Sequence, residues 1–492
     1  MNKLHIFLSI LIFVYGKTNA QSVKFEKIFG GNDYDYAYSV TQTFDRGYVV
    51  AGSTSSQGYG STDAYVLKTD SLGNVLWQRY FGGINIDRFY SVTETPDSGL
   101  VMAGYTNSLG AGGYDMLVVK TNKLGVVEWE KYYGGSNWDF AYSICSTNDG
   151  GYAIAGGTYT FGKGNEDFYL VKVDALGDTL WTKTYGGNNE DEAKSIKQTS
   201  DGGLIIAGHT KSFGDIESDF YIVKTNDMGD TTWTYTYHGA QADYAYDVIE
   251  DNTGSFLVAG KSKSIGNGNF DGLIIKISSA GIAEIMPPYC GDNTGGADDD
   301  GFHSICLNQY SRMAVVGYTY SFGWGFGTDD ITMYVTNPYN GYQYRSFGGN
   351  RKETGHCVKN THDGGYIICG NSSSYSNNFE HMYLIKTDSN GVSSGNISSV
   401  NTFISSKINP KETVKIYPNP ANDYFNIDLY STNNSFSSIE ITSITGQVVQ
   451  VIDINNANDI LQVSTQDIEN GIYFIQLKKN NEVITGKIIV QH

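Results

Sequence analysis

One pattern recurs along most of the chain at a step of 52 residues. An aromatic residue ahead of a glycine turn stands at Phe29, Phe81, Tyr133, Tyr185, Tyr237 and Tyr289. A seventh, Phe347, follows after 58 residues, because two short insertions precede it. The stretch from Trp181 to Trp233 shows the unit: Tyr185-Gly186-Gly187, Asp191-Glu192-Ala193, Asp201-Gly202-Gly203 to Ala207-Gly208, Asp219-Phe220-Tyr221, Met228-Gly229. A period of this size is the signature of a repeat architecture, in which each unit buries its apolar faces against its neighbours.

Each unit carries four short strand-like runs, in the first copy Ala37–Thr43, Tyr48–Thr54, Ala64–Thr69 and Val75–Phe81, separated by Gly, Asp and Ser turns. Charged residues are sparse at 17%, while Gly (59) and Tyr (38) are abundant, a balance that suits strands and tight turns rather than long helices. Four antiparallel strands repeated seven times predict an all-β, seven-bladed β-propeller over residues 21–391. The last copy ends at Gly391 with no fourth strand. An orphan strand, Val23–Phe29, precedes the first copy in the register of Val75–Phe81. The N-terminal strand is therefore expected to complete the last blade and leave no open sheet edge.

Two chain regions lie outside the repeat. Residues 1–20 read as a signal peptide: Lys3, an apolar run from Leu4 to Tyr15, then Thr18-Asn19-Ala20. That run is too short to span a bilayer comfortably, and no other stretch predicts a transmembrane segment. Residues 392–411 are rich in Ser, Asn and Thr and read as a linker. Residues 412–492 offer about seven β runs of sandwich-like spacing, predicting a small immunoglobulin-like β-sandwich.

Tyr185-Gly186-Gly187, Asp191-x-Ala193, Gly203 to Gly208, Asp219-x-Tyr221 and Gly229 resemble the seven-bladed β-propeller repeat (SBBP) family over roughly Val23 to Gly391. Tyr417-Pro418-Asn419-Pro420, the central segment around Gly446, and Asn470-Gly471-Ile472-Tyr473 resemble the type A sorting domain of the Bacteroidetes type IX secretion system. That second resemblance implies export through the periplasm by the type IX machinery. It also implies removal of the domain and release or attachment at the cell surface.

The formal charge is −19, and two units more negative once Lys3 and Lys17 leave with the signal peptide. Such a surface repels phosphate backbones and argues against a nucleic-acid partner. Five cysteines without a Cys-x-x-Cys spacing give no zinc signal; Cys369 replaces the alanine of other copies and is expected to be a small buried residue. Cys290 and Cys306 flank an insertion and stand as a possible pair.

Two carboxylate series recur in register. Asp35, Asp87, Asp139, Asp191, Asp243, Asp300 and Glu353 follow the glycine turns. Asp63, Asp115, Asp167, Asp219, Asp271 and Asp330 open the third strands, and His381 breaks that series. Carboxylates present in every blade suit backbone hydrogen bonds in turns, with shared calcium sites as the alternative. The insertion holding Asp292, Asp298, Asp299 and Asp300 is acid-rich and chemically able to bind calcium, though a solvated loop is the plainer reading. No other cofactor is expected. The recurring Trp77, Trp129, Trp181 and Trp233 are expected to be outer-strand packing. The histidines read as scattered among register positions.

Loops that differ between copies gather on one face: Tyr34, Tyr59, Trp138, Phe161, Trp324, Phe326 and Arg351, aromatic residues beside Asn, Asp and Arg. That composition suits a glycan or protein ligand. The leading expectation is a secreted or surface binding module. A polysaccharide hydrolase or lyase, or a structural surface-layer component, are the alternatives. A single-copy carboxylate pair in the central funnel would favour the enzyme, and an aromatic funnel without one would favour binding.

Overall fold

A computed structural model describes residues 23–215, 217–265, 269–290, 299–320, 329–337, 341–375, 379–401, 415–417, 420–428, 438–443, 448–453, 460–479 and 482–492. The expected signal segment lies outside these residues.

Seven sheets repeat one meander. Blade 3 is typical, with strands Asp139–Ser146, Tyr152–Thr158, Asp167–Val173 and Thr179–Tyr185 in that spatial order. Burial follows position. The second and third strands are covered on both faces, while the fourth is largely exposed. The Ala-Gly pairs sit in the second strands, where the bulged first strand of the same blade presses close: a Cβ on Gly52 would lie 1.7 Å from Tyr36 O. Blade 7 holds Glu353–Asn360, Tyr366–Ser372 and His381–Thr387, and its fourth strand is Phe25–Gly30, pairing Phe25 with Lys386 and Phe29 with Met382. The expected closure is therefore present. Phe25 and Phe29 enter the same core cluster as Met382, Ala37, Val40 and Tyr48, which joins blade 7 to blade 1. A further strand, Ile397–Asn401, lies parallel to Phe25–Gly30 as the fifth of the sheet. It falls inside the segment expected to be a linker, where Ser and Asn content hid a single edge strand.

The recurring residues act at blade junctions. The Asp191 carboxylate accepts hydrogen bonds from Gly187 N (2.8 Å), Ser212 Oγ (2.7 Å) and Thr210 Oγ1. Asp139 does the same with Gly135 N (2.8 Å), Thr160 Oγ1 (2.8 Å) and Thr158 Oγ1. The third-strand series accepts from the preceding loop, as Asp167 does from Lys163 N (2.7 Å) and Gly164 N (2.9 Å). The two series meet at the first glycine of the pair at Gly134, Gly186 and Gly348. A Cβ at Gly186 would lie 2.1 Å from Asp167 Oδ1 and 2.6 Å from Asp191 Oδ2, so only glycine fits between the carboxylates. Further out, Trp129 Nε1 donates to Ala175 O (3.1 Å) and Trp233 Nε1 to Ser279 O (3.1 Å) in the next blade's turn. The tryptophans are packing, as expected.

In six of the seven blades a third-strand lysine reaches the first hairpin turn, as Lys224 reaches Asp201 (2.9 Å). Burial pushes Asp97, Asp149, Asp201 and Asp251 up. Hydrogen bonds from the turn threonine and the lysine outweigh it and hold them at about 2. Cys306 and Cys369 carry free buried thiols, and the Cys290 side chain lies outside the described groups. The C-terminal segment forms a three-stranded sheet (Lys415–Tyr417, Tyr424–Asp428, Ile460–Ser464) and a four-stranded one (Ser438–Ser443, Val448–Asp453, Gly471–Lys479, Glu482–Val490). They enclose a core of Phe425, Ile427, Ile441, Ile475 and Leu477.

Candidate functional site

The inner strands of all seven blades line an axial cavity of about 410 Å³. Each of these strands carries an irregularity after its third residue, as between Ala37 and Ser39. A bulge of this kind turns two consecutive side chains toward the axis. The first of them forms a belt: Tyr38, Tyr90, Tyr142, Lys194, Tyr246, His303 and His356. Tyr38 stacks on Tyr90 (4.5 Å between centroids), Tyr90 meets Tyr142 (5.1 Å), and Lys194 Nζ sits 3.8 Å over the Tyr142 ring. On the other side Tyr246 meets His303 (5.0 Å), His303 stacks on His356 (5.4 Å, 7°), and His356 returns to Tyr38 (5.4 Å). His303 and His356 therefore share one register position in adjacent blades. The reading of scattered histidines is corrected here.

Burial pushes His303 down to about 4 and His356 to about 3, so both are neutral near pH 7. Asn371 fixes the His356 tautomer. Its Oδ1 accepts from Ala37 N (2.9 Å), so its Nδ2 donates to His356 Nε2 (3.0 Å) and the ring proton stands on Nδ1.

The second inward set stitches the blades together. Ser39, Ser91 and Ser143 each accept a backbone N–H from the next blade: Val92 N at 3.3 Å, Ile144 N at 3.2 Å and Ile196 N at 3.2 Å. In blade 5 the serine is replaced by Asp247. Its carboxylate accepts from Ser195 Oγ (2.8 Å), Ser304 Oγ (3.0 Å), Ile305 N (3.1 Å) and Val248 N (3.0 Å). Lys197 Nζ lies 3.7 Å away. Burial pushes Asp247 up, but the Lys197 and Lys359 charges and these bonds bring it below the usual carboxylate range.

Above the belt, aromatic residues continue to the loop face. Tyr34 stacks on Tyr36 (6.0 Å, 4°) and Tyr36 on Tyr38 (6.1 Å, 15°). Trp138 meets Phe140 (6.4 Å), which stacks on Tyr142 (6.2 Å). Two residues expected at a binding face, Tyr34 and Trp138, are thus the exposed ends of ladders that run down to the axis. Arg351 is exposed on the equivalent loop of blade 7, its N–H donating to Ser374 Oγ (2.8 Å). Tyr59 and Phe161 do not join the ladders. Tyr59 N caps Asp63 (2.9 Å), and Phe161 packs on Tyr169 (5.3 Å). Trp324 and Phe326 lie outside the described residues.

Blades 3 and 4 hold a single-copy polar cluster at the upper edge of the belt. Glu192 is 2.7 Å from Lys194 Nζ and 3.5 Å from His209 Nε2. Glu166 accepts from Tyr159 OH (2.8 Å), and its carboxylate fills the place a side chain at position 157 would take. A Cβ on Gly157 would lie 2.0 Å from Glu166 Oε1. Burial, then the Glu192 charge, pushes Glu166 well above the usual carboxylate range. Burial opposes ionisation of Glu192 too, but the Lys194 charge prevails and holds it low. His209 adds nothing near pH 7, because burial pushes its own pKa down to about 4.

Asp299 and Asp300 of the acid-rich insertion are engaged with backbone: Phe270 N donates to Asp299 Oδ1 (3.1 Å) and Tyr320 N to Asp300 Oδ1 (3.1 Å). Asp292 and Asp298 lie outside the described residues. Among the described residues no three His, Cys, Asp or Glu side chains gather as a metal site.

Residues 415–491 match the family model described as the secretion system C-terminal sorting domain. The C-terminal sandwich is a sorting domain. It gives the chain an export address, through the type IX secretion system to the cell surface or the medium. Within the sorting domain, Tyr417 and Pro420 are exposed, and Gly471 opens the strand in which Tyr473 is buried, its hydroxyl donating to Glu469 O (2.9 Å). Pro418, Asn419 and Gly446 lie outside the described residues. Among the described residues no helix is long and apolar enough to cross a membrane.

The chain is also similar to the regulatory protein FlaEY of Caulobacter vibrioides. The two are 24% identical over 176 residues, 32% of this chain and 18% of that protein. The chain thus spans less than a fifth of that curated relative. Among solved structures it is similar to YCF48 bound to D1 peptide, at 9% identity and TM-score 0.42, over 75% of this chain and 96% of that one. A second is the β-propeller domain of the Trilobed protease from Pyrococcus furiosus, at 9% identity and TM-score 0.39, over 73% and 98%. A third is the α-L-arabinanase of Penicillium chrysogenum complexed with arabinobiose, at 10% identity and TM-score 0.38, over 61% and 93%. The seven blades rest on the strand pairing of this chain itself.

Proposed function

We propose that the exported propeller is a glycan-binding module whose ligand enters at the axial mouth of the loop face. The observation that carries this reading is the ladder Tyr34–Tyr36–Tyr38, continuous from an exposed loop ring to the cavity belt. Aromatic faces interleaved with hydroxyls suit sugar rings, which present apolar C–H faces and polar edges. A glycan array probed with the full chain tests it. A defined set of glycans should be retained, and Tyr34→Ala with Trp138→Ala should abolish that retention while leaving the unfolding temperature unchanged. Undiminished retention by the double variant would move the site elsewhere.

A second reading, a glycan hydrolase, is favoured by the Glu166–Glu192 cluster. Two neighbouring carboxyls held in opposite protonation states are what acid–base catalysis needs: Glu166 protonated as acid, Glu192 ionised. Reducing-end release from glycans retained on the array, lost in Glu166→Gln but with binding kept, would select this reading. No release from any retained glycan would dismiss it.

A further inference from the structure

The axial cavity is asymmetric. Blades 1 to 3 give it tyrosine and serine only. The charge on the axis comes from the later blades: Lys194, Lys197, Asp247 and Lys359. Lys194 is matched by Glu192. Lys197 and Lys359 share one carboxylate, Asp247, so the deep layer of the cavity keeps one positive charge in excess. Along the wall from blade 1 to blade 3, Ser39, Ser91 and Ser143 each accept one backbone bond, and their own O–H groups have no protein acceptor among the described residues. Unpaired donors and an excess positive charge in a confined space attract an anion.

We propose that this cavity binds a sugar acid, a small carbohydrate bearing one carboxylate. The carboxylate lies at Lys359 and the sugar ring against the tyrosines of blades 1 to 3. The proposal rests on the glycan-binding reading and narrows it to a ligand class. The cavity volume falls in the lower part of the range for small-molecule pockets, about 300–1,000 Å³, which suits a short ligand rather than a polymer strand.

Cys357, two residues before Lys359 on the same strand, keeps its proton, because its Sγ donates to Val40 O (3.8 Å).

The test titrates the full chain by calorimetry with glucuronate, galacturonate, glucose, galactose and acetate. A sugar acid should bind at least about tenfold more tightly than its neutral counterpart and than acetate. Lys359→Gln should lose that preference, Lys359→Arg should keep it, and both should unfold at the parent temperature. Equal affinity for acid and neutral sugars, acetate binding as well as the sugar acids, or a preference that survives Lys359→Gln would each overturn the proposal. If neutral glycans are retained through Tyr34 and Trp138 while sugar acids fail, the ligand class falls and the binding-module reading stands. If no glycan of any kind is retained, both fall.

Discussion

The blade junctions and the axis are built from the same repeat, and they treat it in opposite ways. At the junctions the same chemistry recurs: a carboxylate bonded to a glycine N–H and two hydroxyls, and in several blades a glycine pressed between two carboxylates. At the axis the register position is kept and the residue is not. Tyr38, Tyr90 and Tyr142 give way to Lys194, Tyr246, His303 and His356. Residues that hold neighbouring blades are constrained blade after blade, because each junction must bury similar polar groups with similar partners. The belt rings meet one another mainly by stacking, which accepts several kinds of side chain, so their variation is free to serve a ligand.

The largest way to break this comparison is to remove the clasp. Deleting residues 23–30 strips blade 7 of its fourth strand and empties the places of Phe25, Ile28 and Phe29. Each buried side chain of this size is worth about 2–5 kcal/mol. The loss rivals a typical domain stability of about 5–15 kcal/mol. The variant should lack a cooperative thermal transition, and a parent-like melting curve would show that the clasp is dispensable.

A single junction comes next. Asp139→Ala leaves Gly135 N, Thr158 and Thr160 without their shared acceptor. It should cost about 2–4 kcal/mol, read as a lower urea midpoint at unchanged slope. The matched axial change, Tyr142→Phe, should stay within about 1 kcal/mol. Equal losses would erase the distinction between junction and axis.

Acid separates the junction carboxylates from those of the hairpin turns. Burial, helped by Asp87 and Asp243, pushes Asp63 and Asp219 up to about 6. Their folded forms bind protons that the unfolded chain releases above about 3.9, so stability rises as pH falls from 7 through 6 toward 4. Asp97, Asp149, Asp201 and Asp251, held at about 2, act in the other sense, and their contribution is lost between about 4 and 2. The melting temperature should peak by a few degrees between pH 4 and 6, and a monotonic profile would contradict this assignment.

The smallest effect is an axial restoration. His303→Tyr returns blade 6 to the residue of blades 1 to 3 but loses the hydrogen bond between His303 Nδ1 and Gly355 O (2.9 Å), and should lower the melting temperature by about 2–4 °C. It should change ligand affinity if the belt contacts the ligand.

The blades, their closure and the sandwich were legible because turn residues, strand runs and a fixed period all reported the same architecture. The aromatic rim was legible in part: Tyr34 and Trp138 reach the axis, while Tyr59 and Phe161 serve their own loops. The axis was hidden by the bulge after residues such as Ala37. It places Tyr38 and Ser39 side by side where strict alternation sends them to opposite faces. Aligning the seven copies at Tyr38, Lys194 and His303 exposes the belt, because the departures there fall at a single inward position. The parallel strand Ile397–Asn401 had no such signal, since its pairing is to a segment more than 360 residues earlier.

That distant pairing bears on the order of synthesis. Phe25–Gly30 is made first and finds its partners, Met382–Lys386, only after every blade exists. Until then the leading strand has no edge to join, and the entropy of closing the ring remains unspent. The sorting domain, residues 415–491, follows immediately behind. A chain interrupted before Thr387 thus lacks both the seam of its ring and its destination. Completion of the fold and permission to leave are written into the same last fifth of the polypeptide.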